Sequence, residues 1–132
     1  MATVTETPKL SRLNVQSFIA YADLRTKQYL AVKGVGAASG KTQVDVASTG
    51  GERIVGILLN TPNVGEIAEV AVDPSTAPWI ASGTFNCDVQ LTTDTAGKAK
   101  AATTGDYVAG VSKEAALAAN HVVATQLKQY KI

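Results

Sequence analysis

The stretch GERIVGILLNTPNVGEIAEVAV, residues 51–72, decides the fold class of this chain. An apolar run at residues 54–59 stops at the turn residues 60–63, and a second run begins after Gly65. Apolar residues then recur at every second position, at Ala68, Val70 and Val72. A period of two is typical of a β-strand with one buried face. The stretch therefore predicts two strands joined by a turn.

A related pattern follows in DYVAGVSKEAALAANHVVATQL, residues 106–127. Gly56 and Gly110 each lie in an apolar run that precedes a connection and another strand, so we predict two similar strand–loop–strand units. A glycine inside a strand usually marks a bulge or a close approach of another backbone. We expect both glycines to mark such places. The predicted core residues of these units are Ile54, Ile57, Val70, Val72 and Val111.

Short strands are also predicted elsewhere along the chain, at residues 28–33, 42–47, 79–81, 89–93 and 98–102. Residues 94–97, Asp-Thr-Ala-Gly, predict a hairpin turn. The helix-forming sequence KEAALAA at residues 113–119 is short, and we predict a loop carrying one helical turn there. The fold class is mainly β: a compact small β-barrel or β-sandwich with at most one or two short helices and an extended N-terminal arm.

Composition limits the classes of partner. The chain has 132 residues, of which 45% are hydrophobic and 17% charged, with a formal net charge of +1. These values describe one globular domain, and the near-neutral charge argues against nucleic acid or an anionic membrane as a partner. No apolar run reaches the roughly 18 residues of a membrane span, and the N-terminus does not resemble a secretory signal. We therefore expect the protein to stay where it is made.

Motifs for chemistry are weak. KGVGAASGKT, residues 33–42, imitates a phosphate-binding loop, but Val35 occupies the position of the first glycine and a strand pattern follows. We interpret it as a mobile loop between strands. His121 is predicted to cap a turn, Cys87 to be a small buried hydrophobic residue, and the aspartates at 73, 88, 94 and 106 to cap turns. We therefore expect no catalytic residues, no metal site and no cofactor; the protein is not predicted to be an enzyme.

Three segments resemble the small decoration, or cement, proteins of tailed-phage heads. They are FIAYADLRTKQYLAVKG, GERIVGILLNTPNVGEIAEVAV and AGKAKAATTGDYVAGVSKEAA, and the resemblance covers roughly residues 18–127. Its most specific features are Asp23-Leu24 with Gln28-Tyr29 and Val32-Lys33, and Gly56 with Pro62, Gly65 and Glu66. The family often has a Gly-Asp turn near residues 86–88, where this chain keeps Asp88 but lacks the glycine.

The resemblance implies a compact β domain that binds the outer surface of an assembled phage capsid and stabilises it. The partner would be the major capsid protein, the oligomer a homotrimer near three-fold axes, and the location the virion surface after synthesis in the host bacterial cytoplasm. Two alternatives remain open. One is another phage structural β module, from a tail or baseplate. The other is a small ligand-binding or carrier β domain, for which Lys98, beside the predicted hairpin turn, is the candidate for modification.

Two parts of the chain are distinguished: an extended N-terminal arm, residues 1–16, and a single β domain, residues 17–132. In the arm, threonines alternate with other residues, and Pro8 prevents a long helix. A terminal segment is ordered only where something holds it. We therefore expect the arm to pair with a sheet edge of a neighbouring subunit or the capsid; the alternative is an arm that folds back on its own domain. The predicted contact residues are Thr3, Val4, Thr5, Pro8, Leu10, Arg12 and Leu13.

Overall fold

The computed structural model describes residues 13–38 and 40–132 of the chain. Within this part the protein is all β, which confirms the predicted fold class, and no helix is long and apolar enough to cross a membrane. The strands are β1 (Val15–Ala20), β2 (Ala31–Ala38), β3 (Lys41–Val46), β4 (Gly56–Leu58), β5 (Ile67–Ala71), β6 (Ser75–Ile80), β7 (Gln90–Thr93), β8 (Ala99–Ala101), β9 (Tyr107–Ser112) and β10 (Val122–Lys131). β1 begins at Val15, inside the range assigned to the arm from the sequence.

The strands form two groups of five. The first five close into a barrel in the order β1-β3-β2-β4-β5, and the last five form a sheet in the order β6-β10-β9-β7-β8. We call these groups unit 1 and unit 2. All strand pairs in both groups are antiparallel except β1 with β3, which is parallel.

The two units have the same topology. If β6–β10 are matched in order with β1–β5, each pair of neighbouring strands in the sheet corresponds to a pair of neighbours in the barrel. The one difference is that β1 and β3 are neighbours in the barrel, whereas the sheet is open between the corresponding strands β6 and β8. Even the parallel contact recurs, because Ala81 at the end of β6 forms a parallel bridge with Ala99 of β8. The two strand–loop–strand repeats predicted from the sequence are thus the last parts of two complete five-stranded repeats.

Turn geometry repeats as well. Tyr29 (φ 68°) precedes β2 and donates its N–H to Leu58 O, and Asp88 (φ 58°) precedes β7 and donates its N–H to Ser112 O. Gly65 (φ 81°) and Asn120 (φ 68°) occupy another equivalent pair. Each donates its N–H to a carbonyl oxygen at the end of the strand that opens its unit: Gly65 to Ala20 O, the last residue of β1, and Asn120 to Ala81 O, the residue after β6.

Both strand glycines mark a close backbone approach, as predicted. Gly56 pairs with Val32 of β2, and Gly110 pairs with Leu91 of β7, so the two glycines are equivalent. A Cβ atom on Gly56 would collide with Ala71 O, and one on Gly110 would lie 2.5 Å from Gln126 O. Any larger residue would push the neighbouring strand away.

One hydrophobic cluster joins the units. It contains Ala31, Ile57 and Ala71 from the outer face of unit 1, together with Trp79, Leu91 and Leu127 from unit 2. Ile80 N donates to Tyr29 O at 3.1 Å, which adds a backbone bond between the units. Unit 1 thus packs against unit 2, whose sheet does not close between β6 and β8. Unit 1 has a second cluster inside its barrel, around Val32, Leu58 and Val70.

Four of the five predicted core residues are buried: Ile54, Ile57, Val70 and Val72. The prediction for Val111 is wrong, because its side chain is only half-buried. Val111 is equivalent to Ile57, since each lies at the centre of a three-strand row, Gln90–Val111–Gln126 or Ala31–Ile57–Ala71. Unit 2 packs against the row Ala31–Ile57–Ala71, whereas both glutamines of the row Gln90–Val111–Gln126 are exposed to solvent.

Three local predictions are corrected. Residues 113–119 form no helical turn, because Ala116 instead makes a two-way backbone bridge with Phe85. Residues 33–38 and 41–42 belong to the paired strands β2 and β3, with a bulge between Gly34 and Gly36, and not to a loop between strands. Cys87 is exposed, because it lies in the turn that precedes β7. The left-handed Tyr29 also delays the start of β2 to Ala31.

Candidate interaction surface

Most of the contact residues predicted from the sequence, Thr3, Val4, Thr5, Pro8, Leu10 and Arg12, lie outside the described residues. Leu13 is described, and its side chain is 50% exposed. The next residue is firmly held: Asn14 N donates to Ser75 Oγ at 2.7 Å, and Asn14 O accepts from Val72 N at 2.9 Å. The N-terminal segment therefore joins the domain where β5 passes into β6.

A cleft borders the first half of β1. β1 pairs with β5 from Val15 to Ile19, whereas its ladder with β3 covers Ile19 and Ala20 within the described residues. The strands therefore diverge towards the start of β1. We call the space beside residues 15–18, between β1 and the first residues of β3, the β1 cleft. Sequence reasoning missed this feature, since it exists only through the strand pairing.

Backbone groups point into the β1 cleft. Asn14 and Ala20 bond towards β5 and the loop before it, and Tyr21 bonds to Val44 of β3. Because successive residues of a strand direct their N–H and C=O groups to opposite edges, Val15 and Ser17 direct theirs towards the cleft. Such groups at a sheet edge are a template for pairing with another chain.

The side chains at the cleft are less buried than their equivalents in unit 2. Gln16 and Phe18 share the inward face of β1, opposite Val70 and Ala68 of β5. Gln16 is exposed and Phe18 half-buried. Their equivalents in β6 are Ala77 and Trp79, which are 1% and 0% exposed.

The outer face of each unit carries an apolar pair with one half-buried and one exposed member. Ile19 lies opposite Ile67 in unit 1, and Ile80 lies opposite Val122 in unit 2, at equivalent positions. Ile67 is 43% exposed and Val122 is 40% exposed. The two units thus present similar apolar contacts to solvent.

A small cavity of about 150 Å³ lies beside the ends of β9 and β10, with Arg53, Tyr107 and Lys131 in its lining. Lys131 Nζ lies 5.3 Å from the centroid of the Tyr107 ring, a cation–π distance. Every buried side-chain nitrogen or oxygen in the described part of the chain has a hydrogen-bond partner. The cavity therefore offers no unpaired buried group to orient a small ligand.

Three of the five residues predicted to cap turns do so, namely His121, Asp94 and Asp106, whereas Asp73 Oδ2 accepts from Gln129 N of β10 at 3.0 Å. His121 Nδ1 accepts from Leu117 N at 3.1 Å. Asp94 Oδ1 accepts from Ala96 N and Lys98 N, both at 2.8 Å, and Asp106 Oδ2 accepts from Thr103 N at 2.9 Å. In residues 13–38 and 40–132, no three His, Cys, Asp or Glu side chains are grouped to hold a metal ion.

One carboxylate has a shifted pKa. Arg25 donates hydrogen bonds of 2.8 and 2.9 Å to Asp23, and these bonds lower the pKa of Asp23 to about 2. The stabilisation is present above the ordinary carboxyl pKa and is lost as the pH falls through about 2. Both side chains are more than half exposed, so this pair contributes little to the free energy of folding.

No family model and no curated protein matches the sequence. Among solved structures, the fold is similar to the N base of the head fiber protein gp8.5 of bacteriophage phi29. The TM-score is 0.70 at 16% sequence identity, and the match covers 91% of this chain and 98% of that chain. At this identity the similarity establishes a shared fold, and it spans both units.

Proposed function

We propose that this chain is a structural protein of a bacteriophage virion that binds the outer surface of the assembled capsid and stabilises it. The observation that carries the proposal is the fold shared with a phage head fiber base over nearly the full length of both chains. The decoration-protein resemblance of residues 18–127, found independently from the sequence, supports the same location. On this proposal the protein is made in the host bacterial cytoplasm and has no enzymatic activity.

The architecture suits such a role. Two units that share a hydrophobic cluster make a rigid body, and the exposed Ile67 and Val122 are available for contacts with other chains. We propose the major capsid protein as the partner and a homotrimer as the oligomer. A trimer attaches through several weak contacts at once, which raises the overall affinity by roughly 10² to 10⁴. The proposed contact residues are those named in the N-terminal segment, from Thr3 to Leu13.

Co-sedimentation tests this proposal. The purified chain is mixed with empty capsids of the matching phage, pelleted at increasing salt, and the capsids are then heated with and without it. We expect the chain to pellet with capsids in saturable amounts and to raise their disruption temperature. Capsids of an unrelated phage are the control. Binding to isolated tails or baseplates, with no binding to capsids, would contradict the proposal and favour the tail-module alternative.

A further inference from the structure

We infer that the β1 cleft binds the N-terminal segment of a second copy of this chain, residues 1–9, with residues 1–7 paired as an added β-strand. The inference rests on the homo-oligomer proposed above and identifies the contact that would build it. Four observations carry it: the filled cleft of unit 2, the edge chemistry of β1, the poor match of another occupant, and the properties of the segment.

Unit 2 shows what fills such a cleft. β6 and β8, the equivalents of β1 and β3, meet at the single bridge Ala81–Ala99. Unit 1 fills the resulting gap: Trp79 packs in one cluster with Ala31 and Ile57, and Ile80 N bonds to Tyr29 O. The equivalent cleft of unit 1 leaves Phe18 half-buried.

The edge of β1 is suited to strand addition, whereas the edge of β6 is not. Ser17 pairs with Glu69 of β5 and is equivalent to Pro78, which pairs with Ala124 of β10. Proline has no N–H, so Pro78 protects the edge of β6 from pairing with another chain. Ser17 retains its N–H, which points into the cleft together with the backbone groups of Val15.

The outer row of unit 2 in a second copy is a poor match for the cleft. In unit 1, the row that packs against unit 2 contains Ala31 and Ala71. The equivalent row of unit 2 contains Gln90 and Gln126 at these positions. Burying these two long amides in a hydrophobic cluster would cost free energy unless each amide found partners. These two glutamines therefore disfavour head-to-tail stacking of copies, a contact that does not close on itself.

The N-terminal segment has the properties of an added strand. Thr3, Thr5 and Thr7 alternate with Val4 and Glu6, a β-branched pattern. Glu6 has the charge opposite to that of Lys41, which is exposed at the start of β3 across the cleft. Pro8 lacks an N–H, so it ends the pairing and leaves residues 1–7 as the paired part.

The geometry favours a segment from another copy. Asn14 is fixed in the ladder, so a return of the segment into its own cleft needs a tight turn within residues 9–13. That stretch, Lys-Leu-Ser-Arg-Leu, lacks the Gly, Asn or Asp that tight hairpin turns favour. An extended segment of twelve residues reaches about 40 Å, enough to span to a neighbour. Each copy gives one segment and has one cleft, so three copies can close a ring.

Disulfide trapping between full-length chains, without capsids, tests the inference. All chains carry Cys87→Ser. One set carries Thr3→Cys, Val4→Cys or Thr5→Cys, and the other, distinguishable by mass, carries Gln16→Cys. We expect at least one of the three mixtures to form the mixed disulfide ten times faster than the same chain mixed with an Ala118→Cys control, which places the thiol on an exposed loop of unit 2. Equal rates would overturn the inference.

Three further measurements keep the outcomes distinct. A chain with both Val4→Cys and Gln16→Cys that closes its disulfide within itself would also overturn the inference. Ser17→Pro copies the protected edge of unit 2, and we expect it to reduce trapping at least tenfold with little change in melting temperature. If light scattering detects trimers that resist trapping at the cleft, the oligomer stands and the inference fails. Trapping without capsid binding would support the inference and contradict the proposed function.

Discussion

At the scale of single residues, the equivalent glycines Gly56 and Gly110 lie so close to a neighbouring strand that a side chain does not fit. Gly110 lies in β9, and a Cβ atom there would lie 2.5 Å from Gln126 O and 2.9 Å from Thr125 Cγ2. We expect Gly110→Ala to lower the free energy of unfolding by about 2 kcal/mol or more, because a backbone strand must move. Gly83 has open space around its Cα, so Gly83→Ala should change stability by less than about 0.5 kcal/mol. Urea denaturation of both variants measures the difference; equal losses would contradict the packing at Gly110.

Val70 and Val111 differ in burial, so we expect their replacement by alanine to differ in its effect on stability. Val70 is 0% exposed inside unit 1, and Val70→Ala should cost about 1–3 kcal/mol through lost burial and a cavity. Val111 is half-buried on the uncovered row of unit 2, so Val111→Ala should cost under about 1 kcal/mol. Thermal denaturation by circular dichroism gives both values. A larger loss at Val111 would mean that its row is covered.

Sequence patterns predicted many strand interiors but placed some strand ends wrongly, and left-handed residues explain part of the error. Tyr29 adopts φ 68° although tyrosine rarely does so, and β2 starts at Ala31 as a result. Asp88 adopts the same conformation beside Cys87, which is exposed in the turn. Backbone bonds to Leu58 and Ser112, distant in sequence, accompany these conformations. A local pattern cannot reveal such bonds.

At the scale of elements, the contact between the units depends on Trp79. Its Nε1–H donates to Gly97 O at 2.9 Å, and its ring packs against residues of unit 1. Trp79→Phe keeps an aromatic ring but loses the bond and leaves a buried carbonyl oxygen with one partner fewer. We expect a loss of about 1–3 kcal/mol. Tyr21→Phe, at a side chain that is 53% exposed, is the control and should leave stability unchanged.

A single unfolding transition should accompany that loss, because both units contribute to one cluster. Circular dichroism followed through denaturation would then give one midpoint for the wild type and one lower midpoint for Trp79→Phe. Two separate transitions in the wild type would contradict the coupling of the units.

The element scale also shows why the candidate site was only partly predictable. Alternating threonines and the position of Pro8 predict that the N-terminal segment is a contact region, a prediction that falls mostly outside the described residues. The β1 cleft was hidden, because it depends on how far β1 and β3 remain paired. The different roles of Ser17 and Pro78 became visible only when strand pairing made the two positions equivalent.

At the scale of the whole molecule, one topology is used in two ways. Unit 1 closes into a barrel and covers unit 2, which remains open between β6 and β8. The outer row of unit 1 is therefore apolar, Ala31–Ile57–Ala71, while the equivalent row of unit 2 carries two glutamines. The row that unit 2 presents to solvent is therefore more polar than the row with which unit 1 packs against unit 2.

The N-terminal segment should matter for attachment more than for folding. Val15 and the rest of β1 are held by the ladder with β5, and Asn14 is fixed by two hydrogen bonds, so these contacts do not require residues 1–9. At concentrations where the full chain is monomeric, we expect their deletion to leave the melting temperature nearly unchanged. Capsid attachment, measured by co-sedimentation, should weaken at least tenfold, and each factor of ten corresponds to about 1.4 kcal/mol. A full-length Val4→Pro chain, which keeps the segment but loses a backbone donor within it, should show a similar loss. A truncated chain that unfolds easily would make the segment part of the domain itself, and one that binds capsids as tightly as the full chain would remove it from the attachment surface.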